Sequence, residues 1–533
     1  MDSLTLVARN GELVQQALEL GELLHMETAS EEITDEFLLF AIDSGLLKTW
    51  ADSFPDPRQQ PEISPYILLA AALAARFAKL YALRHTGFVL RSARVLGALG
   101  YSVEVTQAGQ GLSRKGTSED TLISPDVWRK LLVKMEQGIT PETPLTPPAQ
   151  ALADALEKKS AVPDPAARPS RRAAKEEVDE ADARRRGLGA AQQMLDWYNH
   201  SVGPSLLEYA QLGSGRRLHL LDVTKVEVAL ERATYECSTV VKNDDKTSSR
   251  GYKLVTIRTL LDTAGVLSQV GFGPIHIHDL ELSRELVATS EVLRAGDLLI
   301  EDRGFLDGAL LTKLKSERGV DVLVPLRSNM HAYLEAVALA EYEGKWQPHP
   351  TRRNQEIAFV GTVEHVWDEC EVGLNACVIR YYDEKKRGYG YLVLVSTDLR
   401  LSAEWLVRHY EERPEIEQDY QQLKGEGWKL QKLTSTRYSE IVFYVLSVSL
   451  AYSLYQLFAN TQAGARFADK TRQALEIEQL KNKRTHIIVY ARGYFEIYET
   501  LRFVQIVIGL PPEIQGKLGK WLGEHLGSVK KQE

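Results

Sequence analysis

Two short apolar runs in this chain each lead into an aspartate. Residues 218–221 (Leu-His-Leu-Leu) are followed by Asp222, and residues 298–301 (Leu-Leu-Ile-Glu) are followed by Asp302. Short runs with little polar interruption are typical of strands in a sheet that is covered on both faces. The sequence therefore predicts a buried sheet in an α/β domain, with two carboxylates placed where strands of that sheet end.

The segments around these two runs follow a definite order along the chain. Strand-like and helix-like stretches alternate as strand, strand, strand, helix, strand, helix, strand. The candidate strands are 217–224, 253–261, 265–272, 298–302 and 320–325, and the candidate helices are 281–294 and 306–318. This order, with acidic residues ending the first and fourth strands, is that of a ribonuclease-H-like fold.

A third acidic residue, Glu417, lies on a predicted helix in the pattern Tyr410-x-x-Arg413-x-x-x-Glu417-x-x-x-x-x-x-Lys424. At about 100° per residue, these four side chains fall within roughly 60° of one another and share one helical face. Arg413 and Lys424 can hold phosphates on either side of the carboxylate. Pro414 predicts a kink or a restart of the helix, so the direction of Tyr410 stays open.

We expect the carboxylates of Asp222, Asp302 and Glu417 to converge. Carboxylate oxygens are the natural protein ligands of Mg²⁺. Two divalent ions roughly 4 Å apart can clamp the attacking and leaving oxygens of a phosphodiester displacement. The sequence therefore predicts a site for two Mg²⁺ ions, with Mn²⁺ as a substitute. Glu301 precedes the second aspartate, but side chains alternate along a strand, so it should face the opposite side.

With these motifs in place, the chain resembles the DDE transposases of bacterial insertion-sequence elements, in the branch with a Tyr-(2)-Arg-(3)-Glu-(6)-Lys signature. Tyr410, Arg413, Glu417 and Lys424 match that spacing at every position. The first aspartate begins the usual Asp-x-Thr, and the second lies in the typical Asp-Arg-Gly-Phe. The resemblance covers about residues 188–460.

The resemblance implies a metal-dependent enzyme that cleaves DNA at transposon ends and transfers strands into target DNA. It places the catalytic and metal-binding roles on the three acids, and DNA-binding roles on Tyr410, Arg413 and Lys424. It also implies a homodimer when assembled on DNA, in the bacterial cytoplasm at the nucleoid. Two features depart from the family pattern: Pro414 stands where relatives often have Trp, and relatives tend to be basic.

Composition and the resemblance together predict four regions. Residues 1–158 are predicted to be a helical N-terminal region and a candidate DNA-binding region. Residues 159–187, rich in charge, Ala and Pro, predict a charged linker, with a solvated helix as the alternative. Residues 188–460 predict the ribonuclease-H-like DDE catalytic domain, with a β-rich insertion at about 328–398. Residues 461–533 predict a helical C-terminal region.

The formal net charge of −9 gives no general basic surface for DNA. A local basic cluster remains at Lys424, Lys429 and Lys432. The three cysteines lack metal-ligand spacing and favour a reducing compartment, and the N-terminus lacks the pattern of a signal peptide. Residues 441–459 are long and apolar enough to cross a bilayer, but their polar side chains favour a buried helix, so no membrane partner is expected.

Two further groups of residues could carry chemistry, but structural roles are favoured for both. His276 and His278 with Asp279 suggest a metal site. They follow the third strand, where residues with a structural role are also expected, and a structural role is preferred. The resemblance implies that Trp346 or Trp367 could stack on an unpaired base at a transposon end. A core or surface tryptophan is the preferred interpretation of each.

Two other functions fit the same residues. A ribonuclease-H-like nuclease, such as a junction resolvase, would use the three acids to cut DNA without rejoining strands. A transposase-derived DNA-binding protein would keep the fold without the chemistry, although the complete set of acids disfavours it. Strand-transfer products would separate a transposase from the nuclease, and matching inverted repeats just outside the reading frame would support the transposase.

Overall fold

The structure is a computed structural model of the 533-residue chain. It describes residues 8–23, 25–29, 32–61, 63–77, 80–83, 86, 95, 98–99, 123–124, 126–140, 142–145, 149–150, 153, 171–210, 215–232, 234–243, 245–261, 264–363, 367–384, 387–425, 427–461, 464, 486–491 and 494–526.

The chain divides into two compact units. The central unit comprises Ile139–Gly425 and Ser435–Ser449. The terminal unit comprises Met1–Gly138, Glu426–Thr434 and Leu450–Glu533. Each unit combines helices with a sheet of its own.

Strands are numbered here in chain order. They are β1 (Ala8–Arg9), β2 (His25–Ala29), β3 (Leu218–Val228), β4 (Thr239–Lys242), β5 (Ser248–Leu260), β6 (Gly265–Pro274), β7 (Leu298–Glu301), β8 (Asp321–Pro325), β9 (Gln347–Pro348), β10 (Gln355–Val363), β11 (Leu374–Asp383), β12 (Gly388–Ser396), β13 (His486–Ala491) and β14 (Tyr494–Glu499).

Helices are identified by their residues. The α-helices of the described residues are Gly11–Leu20, Glu32–Asp43, Leu46–Ser53, Pro65–Phe77, Val127–Gln137, Arg171–Trp197, Gly203–Tyr209, Asp279–Ala288, Gly308–Arg318, His331–Glu343, Ala403–Tyr410, Pro414–Lys424, Tyr438–Ala459, Thr500–Ile508 and Pro512–Leu526. A π-helical turn spans Tyr198–Val202, and a 3-10 turn spans Arg303–Phe305.

The central unit is built on a ten-stranded sheet with strand order β4-β5-β3-β7-β8-β12-β11-β10-β9, and β6 pairs with β5. Strands β3, β7 and β8 run parallel, and the other pairings are antiparallel. Every residue of β7 and β8 is buried, as expected for parallel strands in the middle of a covered sheet. The order β6-β5-β3-β7-β8, with helices between, fits a ribonuclease-H-like core, and all five predicted strands are present.

The region predicted as β-rich at 328–398 begins with a helix and continues as four strands of the same sheet. Helix His331–Glu343 comes first, and β12 then pairs with β8, so β9–β12 extend the central sheet. Small buried residues on the helix, Ala332, Ala336 and Ala340, allow it to lie close to these strands.

The two faces of the central sheet carry different residues. One face packs its apolar side chains against helices Asp279–Ala288, Gly308–Arg318 and His331–Glu343 in a continuous core that includes Leu221 and Leu299. Side chains alternate along a strand, so the next residues, at 222 and 300, point to the opposite face. That opposite face is where helix Pro414–Lys424 contacts β3.

The charged stretch predicted as a linker is helical wherever the structure describes it. Residues 159–170 lie outside the described residues, and Arg171 begins a helix that runs without a break to Trp197. This helix continues past residue 187, and Leu188 is buried. Ala, Glu and Arg are good helix formers, which favours the solvated helix that the sequence left as the alternative.

The terminal regions are not purely helical, and in this respect the sequence prediction was wrong. Strands β1 and β2 pair with β14 and β13 in a four-stranded sheet of order β1-β14-β13-β2. Alternating residues Ile487, Val489 and Ala491 are buried with Val14 and Phe503. Because the partner strands come from opposite ends of the chain and are short, local periodicity alone gives little sign of the sheet.

Among the described residues, one helix, Tyr438–Ala459, is long and apolar enough to cross a membrane by length and composition. Its most apolar window has a mean hydropathy of 1.7, and 89% of that window is buried. A single buried helix of this kind is weak support for a membrane span, because core helices of soluble proteins can be equally long and apolar. The buried helix predicted over 441–459 is therefore present.

Candidate active site

Asp222 lies within β3, at the level where the neighbouring parallel strand β7 ends. The pairing of β3 with β7 stops at Leu221 and Glu301, while β5 continues beside β3. The predicted strand ended shortly after Asp222, whereas β3 reaches Val228 because its antiparallel pairing with β5 extends that far. The carboxylate thus lies at the step left in the sheet by the end of β7.

Asp302 follows β7 directly and is on the same face of the sheet as Asp222. Leu220 pairs with Ile300, and alternation along both strands places the two aspartates on the face of that pair. Asp302 Oδ1 accepts a hydrogen bond of 2.8 Å from the backbone N–H of Arg303, which begins the 3-10 turn. One carboxylate oxygen therefore fixes the turn after β7.

Glu417 lies in the first turn of helix Pro414–Lys424. The preceding helix ends at Tyr410, and Arg413 is the N-cap of the new one. The interruption predicted at Pro414 is present, and it divides the signature between two helices. A proline at the first helical position is favourable, because its missing N–H would have no partner inside the helix.

The Arg413 guanidinium lies between all three carboxylates. Its Nη1 is 3.0 Å from Glu417 Oε1, and its Nη2 is 3.6 Å from Asp222 Oδ2 and 3.5 Å from Asp302 Oδ2. The Arg413 side chain is 17% exposed, whereas that of Glu417 is 53% exposed. The three acids therefore converge on one guanidinium, and the cluster is most open to solvent at the glutamate.

Asp222 is the most buried of the three acids, with 13% of its side chain exposed. Burial raises the pKa of its carboxyl to about 6, although the Val223 backbone N–H and Arg413 both favour the ionised form. The nearby negative charges of Asp302 and Glu417 raise the pKa further. Asp222 is thus an acid whose charge depends on compensation by neighbouring positive groups.

Two buried contacts hold the glutamate helix against β3 and β5. The Tyr420 hydroxyl lies 2.7 Å from Thr256 Oγ1 and donates a hydrogen bond of 2.8 Å to the backbone carbonyl of Asp222. Arg258 on β5 forms ion pairs with Asp419 and, at 2.8 Å, with Glu415. The helix that carries the third acid is therefore tied directly to the strand that carries the first.

The sequence did not predict Arg258, Asp419 and Tyr420 as positioning residues. A signal was present, because Asp419 and Tyr420 lie on the same helical face as the apolar Ile416. Charged residues are rarely buried without a partner, so an acid on this apolar helical face predicts a buried cation beside it. Arg258 is a buried cation on β5, and it is that partner.

Tyr410 and Lys424 lie in the electrostatic surroundings of the cluster. Burial raises the pKa of Tyr410 to about 12, and Arg413 among the neighbouring charges opposes that shift. Lys424 is partly buried, which lowers the pKa of its ammonium group, while Glu227 and Asp222 act in the opposite direction. Tyr410, Arg413 and Lys424 therefore all interact electrostatically with the acid cluster, and the fourth signature residue, Glu417, is one of its acids.

Glu301 faces away from the cluster, as predicted from side-chain alternation. It pairs across the sheet with Leu221 and is fully buried. Within the described part of the chain, neither of its carboxylate oxygens has a hydrogen-bond partner. Burial, reinforced by the negative charge of Asp307, raises the pKa of its carboxyl to about 8.

The two histidines and Asp279 have structural partners. His276 Nδ1 is 2.8 Å from Thr239 Oγ1, and His278 caps the helix that begins at Asp279. Asp279 forms an ion pair of 2.6 Å with Lys253. These contacts favour the structural interpretation of the group.

The two tryptophans pack against the core of the central unit. Trp346 and Trp367 are both partly buried there. The guanidinium of Arg380 lies 3.9 Å from the centre of the Trp346 ring and covers it. A covered or partly buried ring favours a structural role over base stacking.

The donor set of the acid cluster fits divalent ions. Three carboxylates give the hard oxygen ligands that Mg²⁺ and Mn²⁺ prefer, and a single guanidinium leaves their combined charge negative. Within the described ranges, no group of three or more His, Cys, Asp or Glu side chains is already arranged to hold one ion. The Arg413 guanidinium occupies the space among the three carboxylates.

No curated protein matches this chain. The family model described as Transposase DDE domain matches residues 213–454, which is slightly less than half of the chain. The matched segment contains the three acids, Arg413 and the strands and helices that position them. Residues 213–454 are therefore similar to the DDE domain of transposases, a family that generally uses divalent metal ions.

Proposed function

We propose that this protein is a transposase that cleaves DNA at transposon ends and transfers the released strand into target DNA. The observation that carries the proposal is the convergence of Asp222, Asp302 and Glu417 on one guanidinium, inside the segment that matches the family. The spacing of the Tyr-Arg-Glu-Lys signature supports the insertion-sequence branch.

The three acids would hold two divalent ions. These would be Mg²⁺, and Mn²⁺ could replace Mg²⁺. Bound there, such ions lower the pKa of water and stabilise the charge of attacking and leaving oxygens. The chain's own part is positional. Tyr420 and Arg258 hold the glutamate helix against the sheet, so that Glu417 lies on the same guanidinium as the two aspartates.

Arg413 and Lys424 would contact the phosphates of the DNA end, and Tyr410 would line the same surface. Guanidinium groups pair with phosphate through two donors at once, and ammonium groups act as compact point charges. Both cations lie close enough to the acids to influence their charge. A phosphate held by them would therefore be near the carboxylates.

The proposed partners are transposon-end DNA and target DNA, with two protomers joining two ends. We propose that the protein works in the bacterial cytoplasm at the nucleoid, without a membrane partner. The candidate DNA-binding role of residues 1–158 and the two-ion site are parts of the same proposal.

A strand-transfer assay tests this function. Labelled DNA that carries the inverted repeats flanking the reading frame is incubated with the protein, Mg²⁺ and a supercoiled target plasmid. We expect labelled DNA joined to the plasmid, and no product with Asp302→Asn. Cleavage without joining would support the resolvase-like nuclease instead, and specific binding without cleavage would support the transposase-derived DNA-binding protein.

A further inference from the structure

The contacts of Arg413 differ from those of an arginine that serves mainly to hold the fold together. Its closest contact is the 3.0 Å pair with Glu417, and its contacts to the two aspartates are longer, at 3.5 and 3.6 Å. Its Nε is buried and has no hydrogen-bond partner among the residues that the structure describes. The guanidinium is therefore held mainly by the charge of the acids, with part of its donor capacity unused.

The acids in turn depend on a positive charge. Asp222 is largely buried, and Asp302 and Glu417 bring two more carboxylates to the same guanidinium. Like charges this close destabilise one another unless a cation lies among them. Arg413 supplies that cation from the same chain, at the centre of the three carboxylates.

We propose that Arg413 is a resident counter-ion of the acid cluster, and that divalent ions bind by displacing its guanidinium from the carboxylates. The inference rests on the proposed function, because it concerns the control of the same site. It adds a role for this residue before DNA is bound. Once displaced, the guanidinium is released from the acids and can pair with a DNA phosphate, so that binding of ions and of DNA favour each other.

The sign of the expected effect is opposite to that for an ordinary positioning residue. An arginine that only orients carboxylates should be needed for cation binding, and its loss should weaken binding. A resident counter-ion competes with the cation, so its loss should strengthen binding. In wild-type protein, cation binding must also displace the guanidinium, and this displacement costs free energy. A variant without the guanidinium has no such cost, so it should bind the cation more tightly.

The test is a Mn²⁺ titration of the full chain without DNA, with free Mn²⁺ measured by electron paramagnetic resonance. We expect Arg413→Gln to bind Mn²⁺ more tightly than wild type, by roughly tenfold, because one competing charge is gone. Arg413→Lys keeps the charge but loses the fork that reaches all three acids. It should give an intermediate gain, and it provides a second variant if the glutamine variant folds poorly.

The matched control is Arg303→Gln. Arg303 is exposed and adjacent to Asp302 in sequence, and among the described contacts it forms no ion pair with the three acids. The Arg303→Gln change removes one positive charge near Asp302 but leaves the Arg413 guanidinium among the three carboxylates. We expect a change of less than about twofold, because exposed charges are screened by solvent.

The outcomes separate this inference from the proposed function. Equal or weaker Mn²⁺ binding by both Arg413 variants overturns the counter-ion role while leaving the metal site in place. An equal gain in Arg303→Gln also overturns it, because the effect would then be one of general charge. Loss of Mn²⁺ binding in Asp302→Asn places the ion at the acids. No binding by wild type or any variant overturns both proposals.

Discussion

Asp222 and Asp302 share one face of the sheet but differ in exposure. The Asp222 side chain is 13% exposed, whereas that of Asp302 is 35% exposed and uses one oxygen to fix the turn after β7. A change at Asp302 therefore disturbs less packing. The chemistry of the cluster can be tested there with little effect on the fold.

Replacing Asp302 by Asn should abolish cleavage while leaving the fold intact. The amide oxygen can still accept the hydrogen bond from Arg303, but the charge that would hold an ion is lost. We expect cleavage in Mg²⁺ to fall by roughly a thousandfold or more. The free energy of unfolding should change by less than about 1 kcal/mol, as measured in urea. Cleavage at the wild-type rate would exclude Asp302 from the site.

Glu301 should make stability depend on pH. Its carboxyl pKa rises from 4.5 in ordinary surroundings to about 8 in the fold, so the folded state favours the protonated form. Stability from this group is complete below about pH 4.5 and is lost as pH rises through 8. Each unit of pKa difference corresponds to about 1.4 kcal/mol, so the loss should be several kcal/mol.

Urea unfolding from pH 5 to pH 9 measures this effect. The variant Glu301→Gln should lack that part of the decline and should be more stable than wild type at pH 9, because it buries no charge. Parallel curves for the two proteins across this range would show that Glu301 is not the group responsible.

At the scale of elements, one hydroxyl links the glutamate helix to the aspartate strand. Tyr420 contacts both Thr256 and the Asp222 backbone, and Arg258 adds ion pairs to the same helix. The direction of Glu417 within its own helix was predictable from residue spacing, because it depends on local geometry. The Tyr420 contact joins residues far apart in sequence, and spacing within one helix gives no information about its partner.

Replacing Tyr420 by Phe should slow DNA cleavage by more than the accompanying loss of stability can explain. The ring still fills its space, but both hydroxyl contacts are lost. We expect a loss of about 1–3 kcal/mol in the free energy of unfolding. We also expect roughly tenfold slower cleavage and weaker Mn²⁺ binding, because Glu417 would then be misplaced relative to the two aspartates.

The matched control for this variant is Tyr252→Phe. Tyr252 is also buried, and its hydroxyl donates a hydrogen bond of 2.6 Å to the backbone of Glu236, away from the acids. It should lose similar stability with cleavage within about twofold of wild type. Equal losses of cleavage in both variants would indicate a general effect of stability.

For the molecule as a whole, the central sheet was more predictable than the terminal unit. The five predicted strands of the central unit are long or continuously buried, and strand-helix-strand order restricts how they connect. The strands β1, β2, β13 and β14 are short and pair across almost the full length of the chain. Sequence periodicity also did not reveal that β9–β12 join the central sheet, because edge pairing depends on tertiary contacts.

Binding to end DNA should weaken steeply with salt despite the net charge of −9. Each phosphate contact releases counterions, so replacing Arg413 and Lys424 by Ala should reduce the slope of log affinity against log salt by about 2. Fluorescence anisotropy with labelled end DNA measures the slope. Lys313→Ala, on a helix covering the other face of the sheet, is the control. An unchanged slope in the double variant would contradict these contacts, and so would binding that does not depend on salt.

The free protein should be mostly monomeric and should form a dimer on paired DNA ends. The sequence has no heptad seam for a permanent dimer, and its acidity disfavours tight association without DNA. Light scattering of the protein with and without end DNA gives the mass of each species. A complex with one chain that still completes joined insertion of both ends would refute this prediction.

The division of the signature between two helices restricts how the segment can vary in length. Within helix Pro414–Lys424, one added residue would rotate everything after it by about 100°. An insertion between Arg413 and Glu417 would therefore turn the carboxylate away from the aspartates, whatever residue was added. Exposed positions such as Gln418 and Gln421 can change identity without this effect. The segment is thus constrained more strongly in its length than in its composition.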